Sequence, residues 1–108
     1  MTTQIRSIEW PGQLGQKYRY GIHPIGTNFE KAAGNYIFAN EPIPNRWDPV
    51  YIGETADLSE RFDNHHAMPC IRQNVATHIH VHTNQQGDDA RRAEEDDIIA
   101  AYNPVCNR

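Results

Sequence analysis

The sequence predicts an α+β domain on three observations. Residues 35–39 and 49–53 are two β-rich stretches on either side of a segment with prolines at 42 and 44. Residues 76–83 place Ala76, His78, His80 and His82 on one side and Thr77, Ile79, Val81 and Thr83 on the other, the period-two pattern of a half-buried strand. Residues 57–67 and 89–102 carry helical spacing and helical punctuation. The chain has 108 residues and a mass of 12.4 kDa, enough for one domain and too little for a barrel enzyme or a two-halved doubly wound sheet.

Taken in order, residues 1–33 read as an N-terminal extension. Trp10-Pro11-Gly12 and Leu14-Gly15 are turn-like, and 17–20 and 22–25 form short edge strands interrupted by Pro24. Residues 34–108 form the main unit of one compact domain. Its first two strands make an antiparallel hairpin with a long, proline-stiffened loop, in which Tyr36 and Phe38 share one face and Tyr51 and Gly53 share another. Asp57 is an N-cap with Glu60 three residues on, so a helix is expected over 57–67, stopped by Met68-Pro69. On that helix Leu58, Phe62, Arg61 and His65 fall within one arc of about 100°. A third strand spans 76–83, and a last helix runs from Asp88 or Asp89 to about Tyr102, ended by Asn103-Pro104.

Counted from Ala90, Glu95 falls at about 140°, between Tyr102 at about 120° and Ile99 at about 180°. Glu94 falls at about 40°, outside that arc. Glu95 is therefore expected to face the core and Glu94 the solvent. A buried carboxylate needs a cation or a metal; a structural ion pair of Glu95 with Arg91 or Arg92 is the plainest form that takes.

The formal net charge is −4, and residues 88–97 alone account for it with six acids and two arginines. The rest of the chain is balanced, so a basic face for nucleic acid is compatible with the composition. No apolar run reaches the roughly 18–20 residues of a membrane span, and the N-terminus lacks the apolar core of a secretion signal. No membrane partner is expected. Cys70 and Cys106 are too few for a disulfide scaffold, which leads to the expectation of a reduced, cytoplasmic protein.

The ordered set Gly34-Asn35-Tyr36, Tyr51-Ile52-Gly53, Arg61 with His65, then Glu95 and Asn107, resembles the GIY-YIG nuclease domain over residues 34–107. The resemblance implies a small three-stranded antiparallel sheet flanked by helices, here with the N-terminal extension packed on it. It also implies endonuclease activity: Mg²⁺- or Mn²⁺-dependent hydrolysis of DNA phosphodiester bonds. By that resemblance Tyr36 and Tyr51 are the paired tyrosines, Arg61 braces the phosphate, His65 assists the tyrosines in activating water, Glu95 holds the metal, and Asn107 supports the site. Three departures stand out. Asn35 replaces the isoleucine of the first motif, at a position expected to face solvent; the tyrosines are fifteen residues apart; and Glu54 stands where repair-type members carry lysine. Without a separate DNA-binding module and at −4 overall, the chain is expected to recognise a branched or otherwise structured DNA by shape, or to rely on a delivering protein partner.

Two other readings compete. One is a nuclease-like module that binds nucleic acid without cutting it. The other is zinc, from His78, His80 and His82 with His65, His66 and Cys70. Same-face strand residues are about 6.6 Å apart, so three consecutive ones cannot share an ion. These histidines are expected instead to form a semi-exposed sheet face.

Overall fold

A computed structural model describes residues 6–60, 62 and 65–108. Among them the elements run β1 (Ser7–Pro11), β2 (Lys17–Pro24), β3 (Gly34–Ile43), β4 (Arg46–Thr55), α1 (Met68–Gln73), β5 (His78–Thr83) and α2 (Asp88–Tyr102), with a closing 3-10 turn at Val105–Asn107. The strands form one five-stranded sheet in the order β1-β2-β5-β3-β4, antiparallel throughout. This overturns the expected three-stranded sheet flanked by helices. The described part of the expected N-terminal extension does not pack on the sheet; it supplies β1 and β2 to it. Tyr18, Tyr20 and Ile22 alternate with Lys17, Arg19 and Gly21 along β2. Pro24, expected to interrupt a strand, is the last residue of β2, opposite His78, where a missing N–H costs little.

The β3–β4 hairpin corrects the expected long loop as well. Both strands continue through the proline segment to Ile43 opposite Arg46, with register shifts after Phe38 and after Asn40. Asn45 takes the left-handed conformation (φ 67°) that the tight turn requires. The helix expected over 57–67 is also corrected. Among its described residues, Asp57 accepts hydrogen bonds from the Ser59 N–H and hydroxyl and so closes a turn instead of capping a helix. The helix α1 begins where an end was expected: Met68 and Pro69 form its first turn, where proline's missing N–H goes unused anyway.

The two faces of the sheet carry separate cores. Tyr36, Phe38 and Ile79 pack with Leu58, Met68 and Ile71 on the α1 side. Trp10, Tyr20, Ile37 and Ile52 pack with Ile98 on the α2 side. Cys70 and Cys106, expected as separate thiols, are joined in a disulfide that ties α1 to the C-terminal turn. No helix among the described residues is long and apolar enough to cross a membrane.

The histidine face expected to be semi-exposed is so at His78 and His82, while the residue between them is not. His80 is fully buried. Its Nδ1 accepts from the Trp10 indole at 3.0 Å, and its Nε2 has no hydrogen-bond partner. The nearer of its two aromatic neighbours is Trp47, 4.7 Å away at 80°. Burial, with smaller contributions from His78 and His23, pushes the His80 pKa down to about 3.

A histidine depressed in this way binds its proton in the unfolded chain first. Its contribution is intact above the unfolded pKa near 6.5 and is lost progressively as pH falls toward the folded value. We expect urea titrations to show wild-type stability falling below pH 6 with an extra slope approaching about 1.4 kcal/mol per pH unit, absent from His80→Gln. Parallel pH profiles for the two proteins would contradict this account.

Candidate active site

The site is built around a missing side chain. The β3–β4 register sets Tyr36 opposite Gly53 and Phe38 opposite Tyr51. A Cβ at position 53 would lie 2.5 Å from the Tyr36 ring carbon Cζ and from its hydroxyl. Only glycine lets the tyrosine lie across β4. The Tyr36 ring then packs on Phe62 at 4.8 Å and stands 6.1 Å from Tyr51, and its hydroxyl reaches His65 Nε2 at 2.7 Å. Tyr51 meets the same imidazole edge-on at 4.9 Å.

His65 lies just ahead of α1 and not on a helix. Its Nδ1 accepts the Ala67 N–H at 3.0 Å. Burial, and then His66, lowers its pKa, which favours the neutral ring. With Nδ1 occupied as an acceptor, the ring proton of that neutral form sits on Nε2. His65 therefore donates to the Tyr36 oxygen. In this arrangement the nitrogen facing Tyr36 already carries a hydrogen.

Glu95 is half-buried, and among the described residues no ion pair engages it. Its pKa is pushed up to about 7, first by burial and then by the charges of Glu54 and Asp96, with Arg92 and the Glu54 backbone N–H offsetting part of the rise. The Glu95 charge in turn helps raise both tyrosines, for which burial is the main cause. The Tyr36 hydroxyl acts the other way on Tyr51, holding it down. Asn107 does not enter this group. Its side chain grips the outer edge of β4, donating to the Ile52 carbonyl and accepting from the Ile52 N–H, each at 2.8 Å. Tyr36, Tyr51 and His65 thus come together, the Glu95 charge acts on both tyrosines, Asn107 holds the backbone beside Tyr51, and Arg61 lies outside the described residues.

The expected division between the two glutamates is corrected. Glu94, assigned to solvent, is only 5% exposed. Its carboxylate accepts the Tyr20 hydroxyl at 2.6 Å, meets His82 Nδ1 at 2.8 Å and takes the Asn84 amide at 3.3 Å. The hydrogen bond to Glu94 is also the main cause of the raised His82 pKa. The buried stripe of α2 is Arg91, Glu94, Asp97 and Ile98, centred about 80° from the apolar arc counted in the sequence. That arc included Tyr102, which is 37% exposed. Arg91, one of the two arginines offered as a structural partner for Glu95, binds Glu54 at 3.0 Å together with Asp88. Asn35, expected to face solvent, is fully buried and donates to the Arg91 carbonyl at 2.9 Å.

Sequence reasoning therefore missed a polar network of Tyr20, His82, Asn84, Asn35 and Arg91 around Glu94. Its one local signal was the polar character of the helix face, which periodicity counts as outward. Cys70, one of the proposed zinc ligands, is occupied by Cys106. Among the described residues no three His, Cys, Asp or Glu side chains converge as a metal-holding group. In comparisons with protein-family models, curated proteins and solved structures, nothing matches this chain.

A glutamate whose pKa is raised from about 4.5 to about 7 favours folding when protonated and opposes it when ionised. Stability is lost as pH rises through that window. Glu95→Gln is expected to be as stable as wild type at pH 5 and more stable at pH 8, by on the order of 1 kcal/mol once its half-exposed position is discounted. Thermal melts at the two pH values measure the difference; equal stability at pH 8 would remove the desolvated carboxylate from the description.

Proposed function

We propose that the chain is a metal-dependent endonuclease that hydrolyses DNA phosphodiester bonds, of the kind that its resemblance to GIY-YIG nucleases implies. The reading rests on the site residues, not on the sheet. The observation that carries it is the convergence of Tyr36, Tyr51 and His65, with the charge of a half-buried carboxylate, Glu95, acting on both tyrosines and no ion pair engaging that carboxylate among the described residues. A carboxylate destabilised by burial and by Glu54 fits a hard divalent cation, which needs only one or two such ligands and keeps its waters.

Mg²⁺ or Mn²⁺ at Glu95 would supply charge neutralisation at the scissile phosphate. The chain's own residues divide the rest. Glu95 provides the anionic oxygen ligand. Arg61, assigned from the sequence, braces the phosphate through its planar guanidinium. Two phosphate-neutralising charges matter because the diester is itself anionic and repels a nucleophile. His65 donates from Nε2 to the Tyr36 oxygen, which orients the Tyr36 hydroxyl toward Tyr51. Receiving that hydrogen bond makes Tyr51 the more acidic of the two hydroxyls. Tyr51, half-exposed and within reach of the Glu95 charge, accepts a hydrogen bond from the attacking water and orients it, its own phenol staying neutral, and the proton that the water loses passes to solvent. The partner is DNA of a particular structure, recognised by shape or delivered by a second protein.

Cleavage of single-stranded, duplex and branched DNA with Mg²⁺ or Mn²⁺ tests the reading. Glu95→Ala is expected to abolish cleavage with the fold intact by circular dichroism, and Gly53→Ala to reduce it at least about tenfold by displacing Tyr36. Because Glu95 must be ionised to hold the cation, the Mg²⁺ concentration for half-maximal cleavage should rise about tenfold from pH 8 to pH 6. Absence of metal-dependent cleavage on every substrate would leave the binding-only alternative.

A further inference from the structure

Beyond α2 the chain turns at Asn103, in the left-handed conformation, and ends in the 3-10 turn that carries Asn107. Two side-chain hydrogen bonds to Ile52 must offset the ordering of the segment that carries Asn107, and each is a modest net gain in water. The tie lies one residue away. Cys106 is bonded to Cys70 of α1, their Cα atoms 5.8 Å apart and 36 residues distant in the chain. Asn74, at the end of α1, donates to the Cys70 carbonyl at 2.9 Å and lies 3.5 and 3.7 Å from the two sulfurs. The cross-link thus joins the element that follows His65 to the residue that precedes Asn107.

We propose that the Cys70–Cys106 disulfide is a positioning element of the candidate active site, holding Asn107 on the β4 edge beside Tyr51, and that its reduction releases this clamp and lowers activity. The activity arm rests on the nuclease reading; the clamp does not. The reductant is a dithiol. One of its thiolates attacks a sulfur of the pair, the Cys70–Cys106 bond breaks, and a mixed disulfide forms with the other cysteine leaving as thiolate. The second thiol of the reductant displaces the remaining cysteine. Two electrons and two protons pass to the protein, and the reductant leaves as a cyclic disulfide.

The test uses the full chain, oxidised or treated with dithiothreitol, with the thiol state read from the mass gain of two hydrogens. Reduction is expected to speed amide exchange at Ile52 by about tenfold or more, with Ile37 and Ile79 unchanged. It should lower kcat by about tenfold and leave KM within about twofold. Asn107→Ala should reproduce both effects in the oxidised protein, and reduction of that variant should add less than about twofold. Cys70→Ser/Cys106→Ser should match the reduced wild type; if it fails to fold, the dithiothreitol series and Asn107→Ala decide alone. Free thiols in the air-oxidised protein, an Ile52 rate insensitive to reduction, or a full additional effect of reduction in Asn107→Ala would overturn the proposal. A chain that cuts no DNA would sink the nuclease reading, while Ile52 exchange would still decide the clamp.

Discussion

A carboxylate beneath a helix governs how this molecule is assembled. Glu94 lies at the centre of the buried stripe of α2, satisfied by Tyr20 from β2, His82 from β5 and Asn84 from the turn that follows. A buried charge held this way is expensive to disturb: removing one partner of such an arrangement typically costs about 3–5 kcal/mol. The rotation of α2 about its axis follows from it. Arg91, one turn earlier, meets Glu54 on β4, and Asp97, one turn later, accepts the Tyr18 hydroxyl at 2.7 Å. Ile98 closes the apolar part of the interface. Glu95, about 100° further round the helix, is left at the flank. The half-buried carboxylate of the candidate site is a consequence of where its neighbour had to go.

The opposite side of β4 obeys a different constraint. Successive residues point to opposite faces, so Tyr51 and Gly53 serve the α1 side while Ile52 packs under α2. Gly53 leaves room for Tyr36 to cross the strand. β4 is also the last strand of the sheet, with backbone groups unclaimed by a neighbour. Exposed edges of this kind recruit other strands. Asn107 occupies the N–H and carbonyl of Ile52, so one side chain both blunts the edge and holds the backbone next to Tyr51. The tyrosine pair, the ion pair of Glu54 with Arg91 and the edge clamp are therefore arranged through four consecutive residues of β4, from Tyr51 to Glu54.

Errors in the sequence reading had local causes. Asp57 followed by Ser59 and Glu60 has the chemistry of an N-cap and also that of a turn in which the carboxylate binds Ser59; the two cannot be told apart without knowing what the next residues pack on. Met68-Pro69 carries a similar ambiguity, because proline both ends helices and begins them. β2 shows clean alternation, and only the weight placed on Pro24 hid it. Glu94 was misplaced because the helical-wheel count was centred on the apolar residues, whereas this helix buries Arg91, Glu94 and Asp97.

Read by itself, the sequence determined what depends on a few neighbouring residues. The alternation in 35–39, 49–53 and 76–83 marks strands, the limits of α2 follow from its flanking Gly87 and Asn103-Pro104, and the resemblance that Tyr36, Tyr51, Glu95 and Asn107 carry suggests a candidate site. Periodicity and capping are short-range, so they can be read from the chain directly. The tertiary structure alone decided which glutamate is buried, that residues 7–24 join the sheet, that Cys70 meets Cys106, and which nitrogen of His65 faces Tyr36. Those outcomes depend on polar groups finding partners far along the chain: Tyr20 and Glu94 are 74 residues apart, and Trp10 and His80 are 70. A buried donor or acceptor must be matched by whatever the fold brings to it, and no local pattern states what that will be.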